Sequence, residues 1–132
     1  MSNIRRVGPL EAYREICDNP SSRLIDVRDS VEFAFVGYPL DAVNIPLKLA
    51  PEMSMNPKFL EKMREVVEDP SVPVYLLCRS GQRSLAAAEL LSQAGYLNLV
   101  NIEEGFEGAL DEHQHRSTIN GWRFHGLPWR QG

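Results

Sequence analysis

Three features of the sequence predict an α/β fold of three layers, with a parallel sheet lying between helices. Short apolar runs suited to buried strands lie at 24–27, 42–45, 74–77 and 97–102. Helical patterns alternate with them at 9–17, 56–69 and 84–94. A polar turn with two arginines follows the third apolar run. Alternating strands and helices form parallel sheets covered on both faces, and binding sites lie at the carboxyl ends of their strands.

The first predicted helix begins at Pro9, a residue favoured in the first helical turn, and runs through about Cys17. Leu10, Tyr13, Ile16 and Cys17 recur on one face at helical spacing. We therefore expect Cys17 to point inward as a small core residue. The alternative is that Cys17 is a resolving thiol, which would react with an oxidised Cys78.

A buried strand at 24–27 carries an acid, Asp26, which needs a partner once it is buried. Asp29 or Ser30 can cap a short helix that ends at Gly37. After the strand at 42–45, the helix that starts near 56 has an apolar stripe expected in the core: Phe59, Leu60, Met63, Val66 and Val67.

The chain of 132 residues falls in the size range of one domain, which we expect to span 1–132. Its extended C-terminal segment covers about 106–132. This segment is polar until Trp122, and its large apolar residues are expected to pack back on the domain: Trp122, Phe124, Leu127 and Trp129.

Composition and charge exclude several classes of protein. The hydrophobic share is 43% and the charged share is 24%, as in ordinary globular proteins. No apolar run approaches the ~18 residues that span a bilayer, and no signal core is visible near the start, so the cytoplasm is the expected location. The net charge of −4 argues against general nucleic-acid or membrane binding. The cysteines lack disulfide or metal-site spacing, and no cofactor is predicted.

Cys78 stands between the strand at 74–77 and the helix at 84–94, which Gly95 ends. Amide groups of the loop and of the helix N-terminus converge there and favour an anion such as a thiolate. The next six residues are polar or small and include two arginines: Arg79, Ser80, Gly81, Gln82, Arg83 and Ser84. Such residues suit an exposed concave turn, so Cys78 is predicted to be a nucleophile rather than a buried structural cysteine.

The sequence resembles the single-domain rhodanese (thiosulfate sulfurtransferase) family over nearly its whole length. The matching segments are LIDVR at 24–28, EF at 32–33, AVNIP at 42–46, CRSGQRS at 78–84, EGF at 104–106 and GLP at 126–128. Each segment is weak evidence alone, but their order and spacing together are specific.

This resemblance implies a five-stranded parallel sheet and a catalytic cysteine, Cys78, that becomes a persulfide. In the family mechanism, the thiolate takes the sulfane sulfur of thiosulfate or of a persulfide donor. The acceptor is cyanide in an assay, and a small thiol or a protein cysteine in the cell.

The resemblance also implies roles for the residues around the cysteine. Arg79 and Arg83 would bind the oxyanion of the donor. The alternative for Arg83 is that it braces the loop through its backbone instead. Gly81 can take the positive φ that a tight cradle needs. The side chains of Ser80, Gln82 and Ser84 offer hydrogen bonds. For Gln82 and Ser84, the alternative is that they are simply solvated in the loop. Asp26 and Arg28 are interpreted as structural residues near the loop.

Two segments depart from the family pattern. GYPLDA at 37–42 replaces the usual Gly-His-Ile-Pro-Gly-Ala, so this turn must be built differently. Gly105 to Trp122 spans 17 positions, which is longer than usual, and long loops are often functional or mobile. This segment contains acidic and histidine residues, which are Glu107, Asp111, Glu112, His113 and His115. They lack zinc-like spacing, so no metal site is predicted.

Two other functions compete with sulfur transfer by an enzyme. Phosphatases and arsenate reductases share this fold and a cysteine loop, but their loop has one more residue than the four between Cys78 and Arg83. A partner-dedicated persulfide carrier needs the same cysteine and cradle as the enzyme.

Overall fold

The computed structural model describes residues 4–131, in which short strands alternate with helices. The strands are β1 (Ile4–Val7), β2 (Arg23–Asp26), β3 (Tyr38–Pro39), β4 (Val43–Asn44), β5 (Lys48–Leu49), β6 (Ser54–Met55), β7 (Val74–Leu77), β8 (Leu99–Ile102) and β9 (Trp129–Arg130). The helices are α1 (Pro9–Asp18), α2 (Ser30–Val36), α3 (Phe59–Val66) and α4 (Gln82–Gln93). Within residues 4–131, no helix is both long and apolar enough to span a membrane.

Five strands pair in parallel into one sheet with the order β1-β8-β7-β2-β4, which confirms the predicted fold class. β7 is the central strand, and Leu76 in it is in register with Ile25 of β2 and Asn101 of β8. The carboxyl ends of parallel strands meet at one edge of a sheet. The residues that follow β2, β7 and β8 are therefore neighbours.

The sheet separates two apolar cores, because successive side chains of a strand point to opposite faces. Val74 and Leu76 face the core that α3 and α4 cover, whereas Tyr75 and Leu77 face the core that α1 and the C-terminal segment cover. Helices thus lie on both faces, as the alternation of elements predicts.

Caps define the ends of α2 as the sequence predicts. The carboxylate of Asp29 accepts hydrogen bonds from the N–H groups of Val31 and Glu32 at 2.9 and 3.1 Å. Gly37, at φ 115°, ends the helix. This turn directs Glu32 toward the edge of the sheet where β7 ends.

α1 packs on the core with only part of the predicted face, because Tyr13 and Ile16 contact the core but Leu10 and Cys17 do not. Leu10 is 55% exposed and Cys17 is also exposed, so the prediction that Cys17 points inward is wrong. Ala12 is fully buried, with Tyr13 and Ile16 packed beside it. A small residue at the point of closest contact lets the helix approach the sheet, and this sets the buried face.

The sequence analysis missed β1, which contains two arginines and lies at an edge of the sheet. Edge strands tolerate charged side chains. Arg5 in β1 donates two hydrogen bonds to Glu15 of α1, at 2.7 and 3.2 Å. This pair explains how a charged segment is held against the helix.

The C-terminal segment packs back on the domain only in part. Trp122 and Leu127 are buried and Trp129 is 37% exposed, but Phe124 is 45% exposed, so the prediction is wrong for Phe124. Trp129 lies in β9, which pairs antiparallel with β3 and packs closely on Gly37. The turn that departs from the family pattern is therefore built against the tail.

A buried ion pair joins the end of β2 to the turn after α2. Asp26 and Arg28 are fully buried, and the Asp26 carboxylate accepts from Nη2 at 2.6 Å and from Nε at 2.9 Å. Nη2 also donates to the carbonyl of Gly37 at 2.7 Å, and the guanidinium lies 4.7 Å from the ring centre of Phe106. Burial raises the pKa of Asp26, and the hydrogen bonds from Arg28 oppose that shift.

Asp26→Ala should strongly destabilise the protein, because it leaves the guanidinium of Arg28 buried without its carboxylate. Removing one partner of a buried pair costs about 3–5 kcal/mol, and urea unfolding should show a fall of that size in the free energy of unfolding. Lys62→Ala, which removes an exposed contact with Glu65, is the control and should change it by under about 0.5 kcal/mol. An Asp26→Ala protein as stable as the wild type would contradict this role.

Candidate active site

Cys78 lies between the end of β7 and the start of α4, at the carboxyl edge of the sheet. Its side chain continues the alternation of β7 and joins the core under α4, so Cys78 is only 1% exposed. The prediction of an exposed turn is thus wrong for the cysteine, although Arg79 and Gln82 in the same loop are exposed. The loop therefore encloses the sulfur of Cys78, and the positive charge of Arg79 lies on its outer side.

The sulfur of Cys78 has two polar neighbours in the loop. The N–H of Gly81 donates to Sγ at 3.1 Å, and the hydroxyl oxygen of Ser84 lies 3.4 Å from Sγ. Gly81 adopts φ 107°, which glycine reaches without strain. Because α4 begins here, its unpaired N–H groups and its dipole also favour negative charge at this point. The loop can therefore hold an anionic sulfur.

Arg83 is paired with a carboxylate. Its two terminal nitrogens donate to the two oxygens of Glu32 at 2.6 and 2.9 Å. Burial would raise the pKa of Glu32, but the hydrogen bonds from Arg83 lower it to about 2. The hydrogen bond to Glu32 also raises the pKa of Arg83. Arg83 thus braces the site through its side chain, by joining α4 to α2, and not through the backbone.

Arg79 provides the exposed positive charge of the loop. Its main-chain carbonyl accepts the N–H groups of Glu107 and Gly108 at 3.0 and 3.2 Å, so its backbone is fixed while its side chain reaches solvent. The two arginines that the sequence grouped together therefore differ: Arg83 is paired and Arg79 faces outward.

The three polar side chains of the loop occupy different environments. Gln82 is exposed and Ser80 is half-buried, whereas Ser84 is fully buried beside the sulfur. Solvation accounts for Gln82. Ser84 belongs instead to the buried lining of the site.

Asn101 supports the loop from β8, and the sequence analysis did not single it out. Its Nδ2 donates to the carbonyl of Gly81 at 3.2 Å and to the carboxylate of Glu103 at 2.7 Å, while its Oδ1 accepts from Ser84. A polar residue inside the apolar run at 97–102 was the available signal, because buried polar groups need partners.

The C-terminal segment packs against the main chain of the site. The N–H of Phe106 donates to the carbonyl of Cys78 at 2.8 Å. Gly105 lies so close to Arg79 that an added Cβ would sit 2.5 Å from its carbonyl. The segment after β8 therefore fixes the backbone on both sides of the Cys78–Arg79 peptide.

The insertion at 107–121 is organised by Asp111. This carboxylate accepts the N–H groups of His113 and His115, both at 2.8 Å, and the hydroxyl of Thr118 at 2.6 Å. Across the part of the chain that the structure describes, no group of three or more His, Cys, Asp or Glu side chains could hold a metal ion.

Cys17 lies near the amino ends of the parallel strands, whereas Cys78 lies at their carboxyl ends. α1 returns from the end of β1 toward the start of β2, and Cys17 in its last turn lines a cleft of about 250 Å³ with Leu24 and Trp122. A strand of four residues spans about 13 Å. This separation does not support a direct exchange between the two thiols.

Comparisons with known proteins identify related chains over nearly the full length. The model of the rhodanese-like domain matches residues 9–112. A Rickettsia rickettsii protein, the uncharacterized RP600 homolog, is 32% identical over 130 residues, which cover 97% of this chain and 98% of that protein.

Solved structures agree with this relationship. The crystal structure of Rv0390 from M. tuberculosis has a TM-score of 0.88 and 38% identity, with 100% of both chains covered. The polysulfide-sulfur transferase homodimer from Wolinella succinogenes has a TM-score of 0.68 and 22% identity, over 98% of this chain and 80% of that one. At this identity, the second likeness is one of fold.

The Glu32–Arg83 pair should make part of the stability sensitive to acid. Because folding lowers the pKa of Glu32 from 4.5 to about 2, the pair stabilises the protein above the higher value and loses its effect as the pH falls to the lower one. The difference in Tm between wild type and Glu32→Gln should be largest above about pH 5 and vanish below about pH 2.

Glu61→Gln, at an exposed position of α3, is the control for this experiment and should keep the wild-type profile. A difference for Glu32→Gln that stayed constant across the acid range would show that its charge contributes nothing.

Proposed function

The chain belongs to the rhodanese-like domain family, and from this premise we propose that it is a sulfurtransferase that carries sulfane sulfur as a Cys78 persulfide. The observation that supports the proposal is the position of Sγ at the carboxyl edge of the sheet, 3.1 Å from the Gly81 nitrogen at the start of α4. Donors that are already in place stabilise an anion without reorganisation. The thiolate and the persulfide of Cys78 are both anions.

The proposed donor is thiosulfate or a persulfide. In the first step, the Cys78 thiolate attacks the outer sulfur of thiosulfate, the S–S bond of the donor breaks, and sulfite leaves with the bonding electrons. In the second step, the acceptor attacks the outer sulfur of the persulfide and releases the Cys78 thiolate. The acceptor is cyanide in an assay, and a small thiol or a protein cysteine in the cell.

Arg79 is the residue proposed to bind the oxyanion of the donor. It is exposed next to Cys78, whereas the guanidinium of Arg83 is paired with Glu32. A charge-assisted hydrogen bond from Arg79 would place the sulfonate end of thiosulfate outside the loop. The sulfane sulfur would then be the end that points toward Sγ.

The enclosure of Cys78 favours a small reacting atom. Because the side chain is 1% exposed and only four residues separate it from Arg83, the loop suits one sulfur atom better than a tetrahedral oxyanion. The guanidinium that a phosphatase or an arsenate reductase would direct at its substrate is bound to Glu32 instead. These observations favour sulfur transfer over phosphatase or arsenate chemistry.

A persulfide carrier in a protein relay is the second candidate. Enclosure would protect the sulfur between donor and acceptor proteins, and the insertion carries two apolar side chains, Leu110 and Ile119, that are each 50% exposed. A contiguous patch of exposed apolar groups is typical of a protein-binding surface. Turnover of thiosulfate with cyanide would favour the enzyme, and loading only from a protein persulfide would favour the carrier.

Thiosulfate should add one sulfur atom to Cys78. After exposure to thiosulfate and removal of the excess, intact-mass spectrometry should show a gain of one sulfur on wild type and none on Cys78→Ser. Cys17→Ser is the matched control and should gain the sulfur, because Cys17 lies near the amino ends of the strands, away from Cys78. Equal loading of wild type and Cys78→Ser would overturn the assignment of the nucleophile.

Arg79→Ala should selectively weaken the use of donors that carry an oxyanion, such as thiosulfate. Loss of one hydrogen bond to a charged group predicts a fall of roughly tenfold to a hundredfold in kcat/KM for thiosulfate. An organic persulfide donor, which has no sulfonate for Arg79 to bind, should be affected far less, and Arg14→Ala, at an exposed site on α1, should affect neither donor. Equal losses with both donors would contradict the proposed role of Arg79.

A further inference from the structure

Three neighbours compete for the single proton of the Ser84 hydroxyl. Its oxygen is within hydrogen-bond reach of Asn101 Oδ1, of the Gly81 carbonyl at 3.2 Å and of Cys78 Sγ at 3.4 Å. The two carbonyl oxygens can only accept a hydrogen bond. The contact with Asn101 is the shortest of the three, so the proton points to Asn101.

The orientation of the Asn101 amide is set by its other partners. Its NH₂ group faces the Gly81 carbonyl at 3.2 Å and the Glu103 carboxylate at 2.7 Å, which are both acceptors. A reversed amide would turn its oxygen toward these oxygens. Oδ1 therefore faces Ser84, and because Asn101 is fully buried, this acceptor depends on the serine proton.

This arrangement fits a neutral Cys78 thiol. With its own proton on Asn101, Ser84 turns a lone pair toward Sγ and accepts the S–H. When the thiol loses its proton to a base in solution, the resulting thiolate needs a donor, and Ser84 must turn its proton from Oδ1 to Sγ. That rotation leaves a buried acceptor unpaired, which is unfavourable. The N–H of Gly81 suits both states.

We propose that Asn101 is a positioning residue that restrains the reactivity of Cys78, because it holds the Ser84 proton that the thiolate needs. This inference deepens the proposed function and rests on it for the identity of the nucleophile. It gives the resting protein a thiol that is less prone to react with adventitious electrophiles and oxidants.

Charged groups lie on the elements that meet at the carboxyl ends of the strands. They are Arg79 in the loop, Arg83 of α4 with Glu32 of α2 and its cap Asp29, Glu103 after β8, and Asp26 of β2 with Arg28. An uncharged replacement of Asn101 leaves all of these charges in place. A change in the pH profile of Cys78 reactivity then does not come from a lost or added charge.

The test measures the rate of Cys78 alkylation by iodoacetamide as a function of pH, in a Cys17→Ser background because Cys17 is exposed. Asn101→Leu should raise the rate at neutral pH roughly tenfold and move the midpoint of the profile to lower pH. A variant that merely loosened the loop would raise the plateau at high pH and leave the midpoint unchanged.

A double variant separates action through Ser84 from other effects. If Asn101 acts through the hydroxyl, Asn101→Leu should have no further effect on the midpoint in a Ser84→Ala background. Asn98→Leu, the same exchange at a half-buried position before β8, is the matched control and should follow the wild type. Asn101→Ala removes the same acceptor without added bulk and should shift the midpoint in the same direction.

An unshifted midpoint in folded Asn101→Leu and Asn101→Ala would overturn the inference. The inference would also be overturned if Asn101→Leu shifted the midpoint as much in the Ser84→Ala background as it does when Ser84 is present. Circular dichroism establishes that each variant is folded. Because alkylation needs no sulfur donor, a failure to form persulfide would overturn the proposed function and leave this result standing.

Discussion

The structure around the site depends on one constraint, which is that a sulfur closed off from water must find its hydrogen bonds within the protein. Cys78 is 1% exposed, so water cannot solvate an anion there, and the N–H of Gly81 at 3.1 Å supplies a fixed donor instead. That donor points at the sulfur only because Gly81 has a positive φ and because α4 begins immediately after it. A buried anion without such partners would be strongly disfavoured.

Several distant segments hold the loop in this shape. Phe106 bonds to the carbonyl of Cys78, Asn101 bonds to the carbonyl of Gly81, and Glu32 fixes Arg83 at the start of α4. These contacts come from β8, from the C-terminal segment and from α2, which converge because the parallel strands end at one edge. The topology of the sheet is therefore what brings the supports of the loop together.

Local patterns were sufficient to predict the elements that carry the site, but long-range contacts were not. The apolar run before Cys78 predicted β7, and the caps and glycines predicted α2 and the end of α4. The prediction for α1 was wrong for Leu10 and Cys17, because only packing decides how the helix is rotated about its axis against the sheet. The Glu32–Arg83 and Asn101–Ser84 pairs join residues 51 and 17 positions apart, and no local pattern indicates them.

The pairing of Arg83 also bears on how a sulfur-transfer cycle would turn over. Two unpaired guanidinium groups beside the loop would hold the sulfite product as firmly as they attract the thiosulfate donor, because both carry negative oxygens. With Arg83 neutralised by Glu32, the attraction falls to the exposed Arg79, where water screens it. In the proposed cycle, the N–H of Gly81 would favour the persulfide inside the loop, while the leaving anion outside would be bound weakly enough to depart. The division of the two arginines between bracing and binding would thus allow one small loop to retain sulfur and release sulfite.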